Sequence, residues 1–267
     1  MDGEKAKLAQ LVEIMSRLRA PDGCPWDRQQ TFDTLKTYLV EEAYEVLEAI
    51  ESGTPEQLLE ELGDLLFQIV FQCQLAAEAG WFDIDDVVAT ISRKIIRRHP
   101  HVFASARADT PEQVVDVWER VKRQEKADAG QARQSVLDGL PAALPALLAA
   151  HRLSERASRS GFDWNGPEQV LHKVDEEMGE LKSALDDDEG QARVHEELGD
   201  VLFALANLAR HLDGCAEDDL REANHRFRSR FMLVEHLAQQ RRLRLADLSP
   251  EQLERLWQEA KSSLSRA

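Results

Sequence analysis

Cysteine is scarce in this chain. The three cysteines, Cys24, Cys73 and Cys215, are far apart, odd in number and never in a Cys-x-x-Cys pair. This spacing excludes a disulfide framework and a zinc-ribbon site, and it predicts free thiols in a reducing compartment. The chain also lacks any apolar run near the roughly 18 residues of a membrane helix. Its first residues lack the apolar core of an export signal. We therefore expect a cytoplasmic protein with no membrane partner.

Positive charge is also in short supply. The sequence has 33 lysines and arginines against 50 aspartates and glutamates, for a net charge of −17. Such a balance argues against nucleic acids and anionic membranes as partners, because both need clustered basic residues. A small phosphorylated ligand that arrives with its own magnesium remains compatible with it. The 267 residues suffice for two domains, each with its own core.

Strand patterns are absent, and helix-forming residues take their place. Alanine, leucine, glutamate, glutamine and arginine dominate, and no segment alternates apolar and polar residues between turn signals. Segments such as Thr110-Pro111-Glu112 and Ser249-Pro250-Glu251 are typical helix starts, with a hydroxyl cap and proline at the first helical position. The sequence therefore predicts an all-α fold.

The chain contains a duplication. Trp26 corresponds to Trp164, the Lys94/Arg98 pair to Arg226/Arg230, and Trp118 to Trp257, with the landmarks keeping nearly the same order and spacing. Register held over this distance indicates duplication of a whole domain. We predict an N-terminal domain at residues 1–123, an exposed polar linker at 124–136 and a C-terminal domain at 137–267.

Each copy repeats a set of carboxylates on two consecutive predicted helices. Acids three residues apart project from one helix face, and a turn between the helices lets the two pairs face each other. Oxygen-only ligands of this kind suit Mg²⁺, with Mn²⁺ as the alternative. The predicted metal ligands are Glu42, Glu45, Glu61 and Asp64 in the first copy and Glu177, Glu180, Glu197 and Asp200 in the second.

A solvated acidic helix face is the competing interpretation. In the first copy the stripe of Glu61 and Asp64 continues through Gln68 and Gln72, so a solvated face stays open there. In the second copy the same stripe continues into Ala204 and Leu208, which predicts a face turned to the core. Carboxylates in such a place are costly unless a cation accompanies them. A di-iron bundle finds little support, since only Glu222 and His225 give the required Glu-x-x-His near the acids.

Cations that could hold phosphate accompany the acids. Arg226 and Arg230 share one helix face, and Lys173 and Arg193 each lie one turn before an acid pair. Trp257 suits either stacking on a nucleobase or packing in the core.

The motifs together resemble those of the MazG nucleoside triphosphate pyrophosphohydrolases. They are GCPWDRQQT near the N-terminus, EELGD in each copy, RRHPHVF at 97–103 and NLARH at 207–211. The resemblance implies tandem MazG-like helical domains whose bundle is completed by dimerisation, hence a homodimer. It also implies magnesium-dependent cleavage of NTPs and dNTPs between the α- and β-phosphates, which yields a nucleoside monophosphate and pyrophosphate.

The resemblance also implies roles for individual residues. It places the metal on the two acid sets and the nucleotide on Lys173, Arg193, Arg226, Arg230 and Trp257, with Arg226 standing where lysine is common. Our hypothesis gives catalytic roles to four residues. Glu176 or Glu196 accepts the proton of the attacking water, while Arg226 and Arg230 neutralise the departing pyrophosphate. The first copy has no clear match for Arg193, so we predict that the second is the main catalytic unit.

Two alternative functions are kept. One is a non-catalytic, nucleotide-sensing helical dimer module that binds the magnesium nucleotide without cutting it. The other is a pyrimidine-restricted pyrophosphatase of the all-α dUTPase-like type, which shares the acid pattern.

Overall fold

The computed structural model describes residues 7–128 and 135–264, and within those ranges every regular element is helical. The all-α prediction is therefore confirmed. The chain divides into two compact units, residues 1–131 and 132–267. No helix in the described part of the chain is both long enough and apolar enough to span a membrane.

The N-terminal unit is built around a hairpin of two long helices. Its core contains Met15, Leu35, Val70 and Phe71, all at most 1% exposed. The core thus joins the first helix to both arms of the hairpin. The helices that the structure describes in this unit are α1 (Leu8–Arg19), α2 (Pro25–Gln29), α3 (Leu35–Ser52), α4 (Pro55–Glu78), α5 (Ile84–Arg98), α6 (Pro100–Phe103) and α7 (Pro111–Asp128).

A cap at Thr54 sets where the second arm of this hairpin begins. The Thr54 hydroxyl accepts a hydrogen bond from the Gln57 backbone N–H at 3.3 Å. The Gln57 side chain in turn accepts one from the Thr54 N–H at 2.7 Å. With Pro55 at the first helical position, these bonds satisfy N–H groups that a helix start leaves free. The start of α4 in turn fixes the height of Glu61 and Asp64 opposite α3.

The C-terminal unit repeats the hairpin. Gly190 has φ +93°, a left-handed conformation that glycine adopts readily, in the tight turn between its two arms. A second pair of helices packs through Val234, Ala238, Leu256 and Ala260. The helices are α8 (Ala146–Ser158), α9 (Pro167–Asp186), α10 (Gln191–His211), α11 (Ala216–Gln240) and α12 (Pro250–Leu264), with a short 3-10 helix at Leu245–Asp247.

Helix α7 continues into the segment that the sequence analysis assigned to a linker. It ends at Asp128, although the predicted linker begins at residue 124. Ion pairs from Glu125 to Arg97 and Arg98 hold this part of the helix against the end of α5. Such long-range contacts leave no local periodicity in the sequence. Residues 129–134 of the predicted linker lie outside the described residues.

Candidate metal and nucleotide site

The hairpin of α9 and α10 gathers three acids of the C-terminal unit into one cluster. Carboxylate oxygens of Glu177, Glu197 and Asp200 lie within 4.8 Å of one another. Glu177 and Glu197 are buried, whereas Asp200 is exposed at the mouth of the cluster. The fourth predicted ligand, Glu180, lies outside this three-residue group but close enough to raise the pKa of Glu197. The cluster therefore has oxygen ligands of the kind that Mg²⁺ or Mn²⁺ binds.

Glu197 is the most deeply buried residue of the cluster. Its side chain is 1% exposed, and neither carboxylate oxygen accepts a hydrogen bond. Burial raises its pKa, and the neighbouring charges of Glu180, Asp200 and Glu177 raise it further, while Arg193 opposes them. A buried carboxylate is costly unless cations compensate it. Arg193 supplies one such charge, but the three neighbouring acids still add to the rise in the pKa of Glu197. A divalent ion ligated by these oxygens fits this arrangement.

Two cations lie directly on the acids. Lys173 Nζ is 2.7 Å from both Glu176 and Glu177, and hydrogen bonds to these two carboxylates raise its pKa. Arg193 pairs with Glu196 at 2.9 Å and contacts Glu197. Each cation thus joins a predicted metal ligand to the predicted proton acceptor beside it. All four contacts join residues three or four positions apart on one helix, so helical periodicity places these cations beside the acids.

The other predicted nucleotide residues lie elsewhere in this unit. Arg226 pairs with Glu222 on its own helix at 3.1 Å, and Trp257 is partly buried with its ring 5.3 Å from that of Phe227. Among the described residues, no hydrogen bond or ion pair joins Arg226, Arg230 or Trp257 to the acidic cluster. These three residues lie on α11 and α12, whereas the acids lie on α9 and α10.

The N-terminal unit has a second acidic cluster at the equivalent place. Oxygens of Glu42, Glu61 and Asp64 lie within 4.8 Å of one another. Burial raises the pKa of Glu42 and of Glu61, and Glu45 adds to both shifts. The fourth predicted ligand is therefore close here as well.

The glutamines of this unit do not mark a solvated face. Gln68 is 7% exposed and hydrogen-bonds to Glu42. The solvated interpretation, which the sequence left open, is therefore wrong at Gln68, because the side chain is buried beside the acids it follows. Its counterpart in the C-terminal unit, Ala204, has no group that could hydrogen-bond to a carboxylate.

Sequence reasoning missed Glu125, which forms ion pairs with Arg97 and Arg98 in the N-terminal unit. Arg98 donates hydrogen bonds to it at 2.6, 3.1 and 3.3 Å, and Arg97 donates one at 2.6 Å. The Arg98 guanidinium also lies 5.9 Å from the centre of the Trp118 ring. These arginines lower the pKa of Glu125 to about 2. The available signal was its position seven residues after Trp118, on the same helix face.

We expect Glu125→Gln to destabilise the N-terminal unit near neutral pH by on the order of 2 kcal/mol, because the folded state favours the ionised carboxylate. The pKa of Glu125 is about 2 in the folded chain, against a usual 4.5. Its contribution is therefore complete above pH 4.5 and is lost as the pH falls from there towards about 2. Urea unfolding of both proteins at stepped pH measures this. A difference in unfolding free energy between wild type and Glu125→Gln that stays constant through that pH range would contradict the ion-pair interpretation.

With this geometry in place, comparison with known proteins is informative. A family model described as the MazG nucleotide pyrophosphohydrolase domain matches residues 30–103 and 165–230. The two matches contain the two acidic clusters. The chain therefore belongs to the MazG nucleotide pyrophosphohydrolase family, with its domain present in tandem.

Several relatives are similar over almost the whole chain. A nucleoside triphosphate pyrophosphohydrolase of Escherichia coli (strain K12) is 45% identical over 260 residues, 96% of this chain and 97% of that protein. The nucleoside triphosphate pyrophosphohydrolase/pyrophosphatase MazG of Thermotoga maritima is 45% identical over 252 residues, 94% of each chain. A crystal structure of a mazG-related protein from Thermotoga maritima aligns with 43% of this chain and 98% of that chain, at 27% identity and a TM-score of 0.38.

Proposed function

We propose that this protein hydrolyses nucleoside and deoxynucleoside triphosphates between the α- and β-phosphates, with Mg²⁺, and that its C-terminal unit is the main catalytic centre. The protein is an enzyme of the hydrolase class, in keeping with the names of relatives that match nearly its whole length. The observation that carries the proposal is the cluster around Glu197, in which a buried carboxylate without hydrogen bonds lies among other acids.

Glu177, Glu180, Glu197 and Asp200 would hold the metal. When bound, Mg²⁺ or Mn²⁺ would neutralise phosphate oxygens and lower the pKa of a water molecule. The exposed position of Asp200 leaves the cluster open on the side from which a triphosphate would approach. The equivalent acids of the N-terminal unit provide a second candidate site, to which we give a lesser role.

The residues beside the ligands would move the proton and bind the phosphates. Glu176 and Glu196 have side chains 57% and 64% exposed, so a water molecule can reach either carboxylate. In the structure Glu176 is paired with Lys173, and Glu196 is paired with Arg193. Phosphate oxygens would attract these cations and leave the carboxylate free to accept a proton from water. Arg226 and Arg230 would then neutralise the departing pyrophosphate, and Trp257 would contact the base.

We also propose that a homodimer completes this site. Helix α11 carries Arg226 and Arg230 beside three large apolar side chains, Phe227, Phe231 and Met232, which are 58%, 41% and 59% exposed. Helix α10 exposes Leu202 and Phe203 on the hairpin that bears the acids. Apolar surfaces this extensive mark association sites. Pairing of two copies would cover these side chains and would bring the arginines of α11 to the acids.

Product analysis tests the reaction directly. The purified protein is incubated with magnesium and a panel of NTPs and dNTPs, and the products are resolved by ion-exchange chromatography. Monophosphate with pyrophosphate is the expected result, and the same data give the base preference. Diphosphate with orthophosphate would show cleavage between the β- and γ-phosphates and would contradict the proposed reaction. Tight nucleotide binding without product would favour the nucleotide-sensing alternative. Activity on dUTP alone would favour the pyrimidine-restricted pyrophosphatase.

Magnesium is expected to raise the melting temperature of the C-terminal unit by several degrees, because an ion that binds only the folded state stabilises it. Asp200→Asn should remove most of this rise, since it deletes a charged oxygen ligand at the mouth of the cluster. Asp247→Asn, an exposed aspartate on the short 3-10 helix, is the matched control. Equal magnesium responses in all three proteins would argue against the site assignment.

A further inference from the structure

We propose that Glu125 is an internal anion that closes a phosphate-type site in the N-terminal unit, made by Arg97, Arg98 and Trp118. The inference rests on the proposed function in one respect, the assignment of Arg226, Arg230 and Trp257 to the nucleotide in the C-terminal unit. It concerns the N-terminal unit, in which Arg98 corresponds to Arg230 and Trp118 to Trp257, and in which Arg98 already pairs with a carboxylate of the same chain.

Arg98 and Glu125 form the buried part of this cluster, whereas the Arg97 side chain is 60% exposed. Arg98 and Glu125 have side chains only 16% and 14% exposed. Two hydrogen bonds run from the Arg98 guanidinium to one carboxylate oxygen, and Arg97 donates to the other. The same planar guanidinium that binds a carboxylate through several N–H groups binds phosphate oxygens in the same way. Glu125 therefore occupies the position that an oxyanion ligand would need.

The repeat indicates that this carboxylate is particular to the N-terminal unit. Helices α7 and α12 each begin at a proline seven residues before a tryptophan, Pro111 before Trp118 and Pro250 before Trp257. In that register Glu125 corresponds to Leu264, which cannot neutralise an arginine. In the C-terminal unit, Arg230 has no ion pair among the described residues, and Arg226 pairs only with the exposed Glu222. Arg226 and Arg230 therefore have no buried carboxylate partner of the kind that Glu125 provides to Arg98.

Removal of Glu125 should open the site. Arg98 would then be a partly buried cation beside a tryptophan and a second arginine, without its counter-ion. Such a group attracts an oxyanion from solution more strongly than an exposed arginine does, because the surrounding protein screens charge less than water. Inorganic pyrophosphate is a suitable probe, since it carries the charge of the proposed product and needs no turnover.

The experiment is isothermal titration calorimetry of the full-length protein with pyrophosphate, in buffer free of divalent metal. Glu125→Leu, which introduces the residue found in the other unit, is expected to bind one more pyrophosphate per chain than the wild type. Arg98→Gln in that background should abolish the added site. The same stoichiometry and affinity in Glu125→Leu and wild type would overturn the proposal.

Two further measurements keep the test decisive if Glu125→Leu folds poorly. Glu125→Gln retains the shape of the side chain and removes its charge, and it should show the same additional binding. In the otherwise wild-type protein, Arg98→Gln should leave pyrophosphate binding unchanged, because Glu125 already occupies that arginine. A loss of binding on Arg98→Gln alone would show an open site and refute the closure. None of these readouts needs hydrolysis, so they stand even if the proposed reaction proves wrong.

Discussion

Glu197→Gln is expected to reduce hydrolysis of nucleoside triphosphates by about a thousandfold, since a metal ligand at a phosphoryl centre contributes several kcal/mol to the transition state. The same variant should melt at a higher temperature than the wild type when divalent ions are absent. The neutral amide removes a buried charge that three other acids repel, and this relief outweighs the loss of the ion pair with the partly exposed Arg193. A loss of activity with a gain of stability distinguishes a functional acid from a structural one.

Glu61→Gln is the matched control, because Glu61 holds the equivalent place in the N-terminal cluster. It should leave most of the hydrolysis intact if the C-terminal unit is the main centre. Steady-state kinetics with pyrophosphate detection, together with thermal melts in chelator and in magnesium, supply both readouts. Full activity in Glu197→Gln would remove the C-terminal assignment, and a larger loss in Glu61→Gln would transfer it to the other unit.

Phe231→Glu is expected to disrupt the proposed homodimer and to lower the activity more than tenfold, because a charge in an apolar interface costs several times the thermal energy. Phe231 lies on α11 and is 41% exposed in a single chain, stacked on Phe227 at 6.0 Å. Loss of the partner should also separate Arg226 and Arg230 from the acids that they are proposed to serve.

Leu243→Glu provides the control, since Leu243 has nearly the same exposure, 40%, but lies outside the exposed apolar face of α11. Size-exclusion chromatography with light scattering gives the mass, and the hydrolysis assay is run on the same fractions. A Phe231→Glu protein that remains dimeric and active would show that this face of α11 is not the interface. A fully active monomer would show that one chain completes the site.

Local patterns in the sequence were enough for the fold class and the two acidic clusters. Helix composition, capping signals such as Thr54-Pro55 and a three-residue acid spacing all act within a few turns of one helix. Duplication then added independent support, because a pattern that recurs in register is not a chance match. For these reasons the all-α architecture and the pairing of acids across each hairpin could be predicted from the sequence alone.

Only the tertiary structure decided how charges from distant segments meet. It buried Gln68 against Glu42, where the sequence allowed a solvated face. It also extended α7 and brought Glu125 to Arg97 and Arg98 from 28 and 27 residues away. The physical reason is that burial and ion pairing depend on which surfaces pack together. Helical periodicity tells which face a residue lies on but not what that face meets.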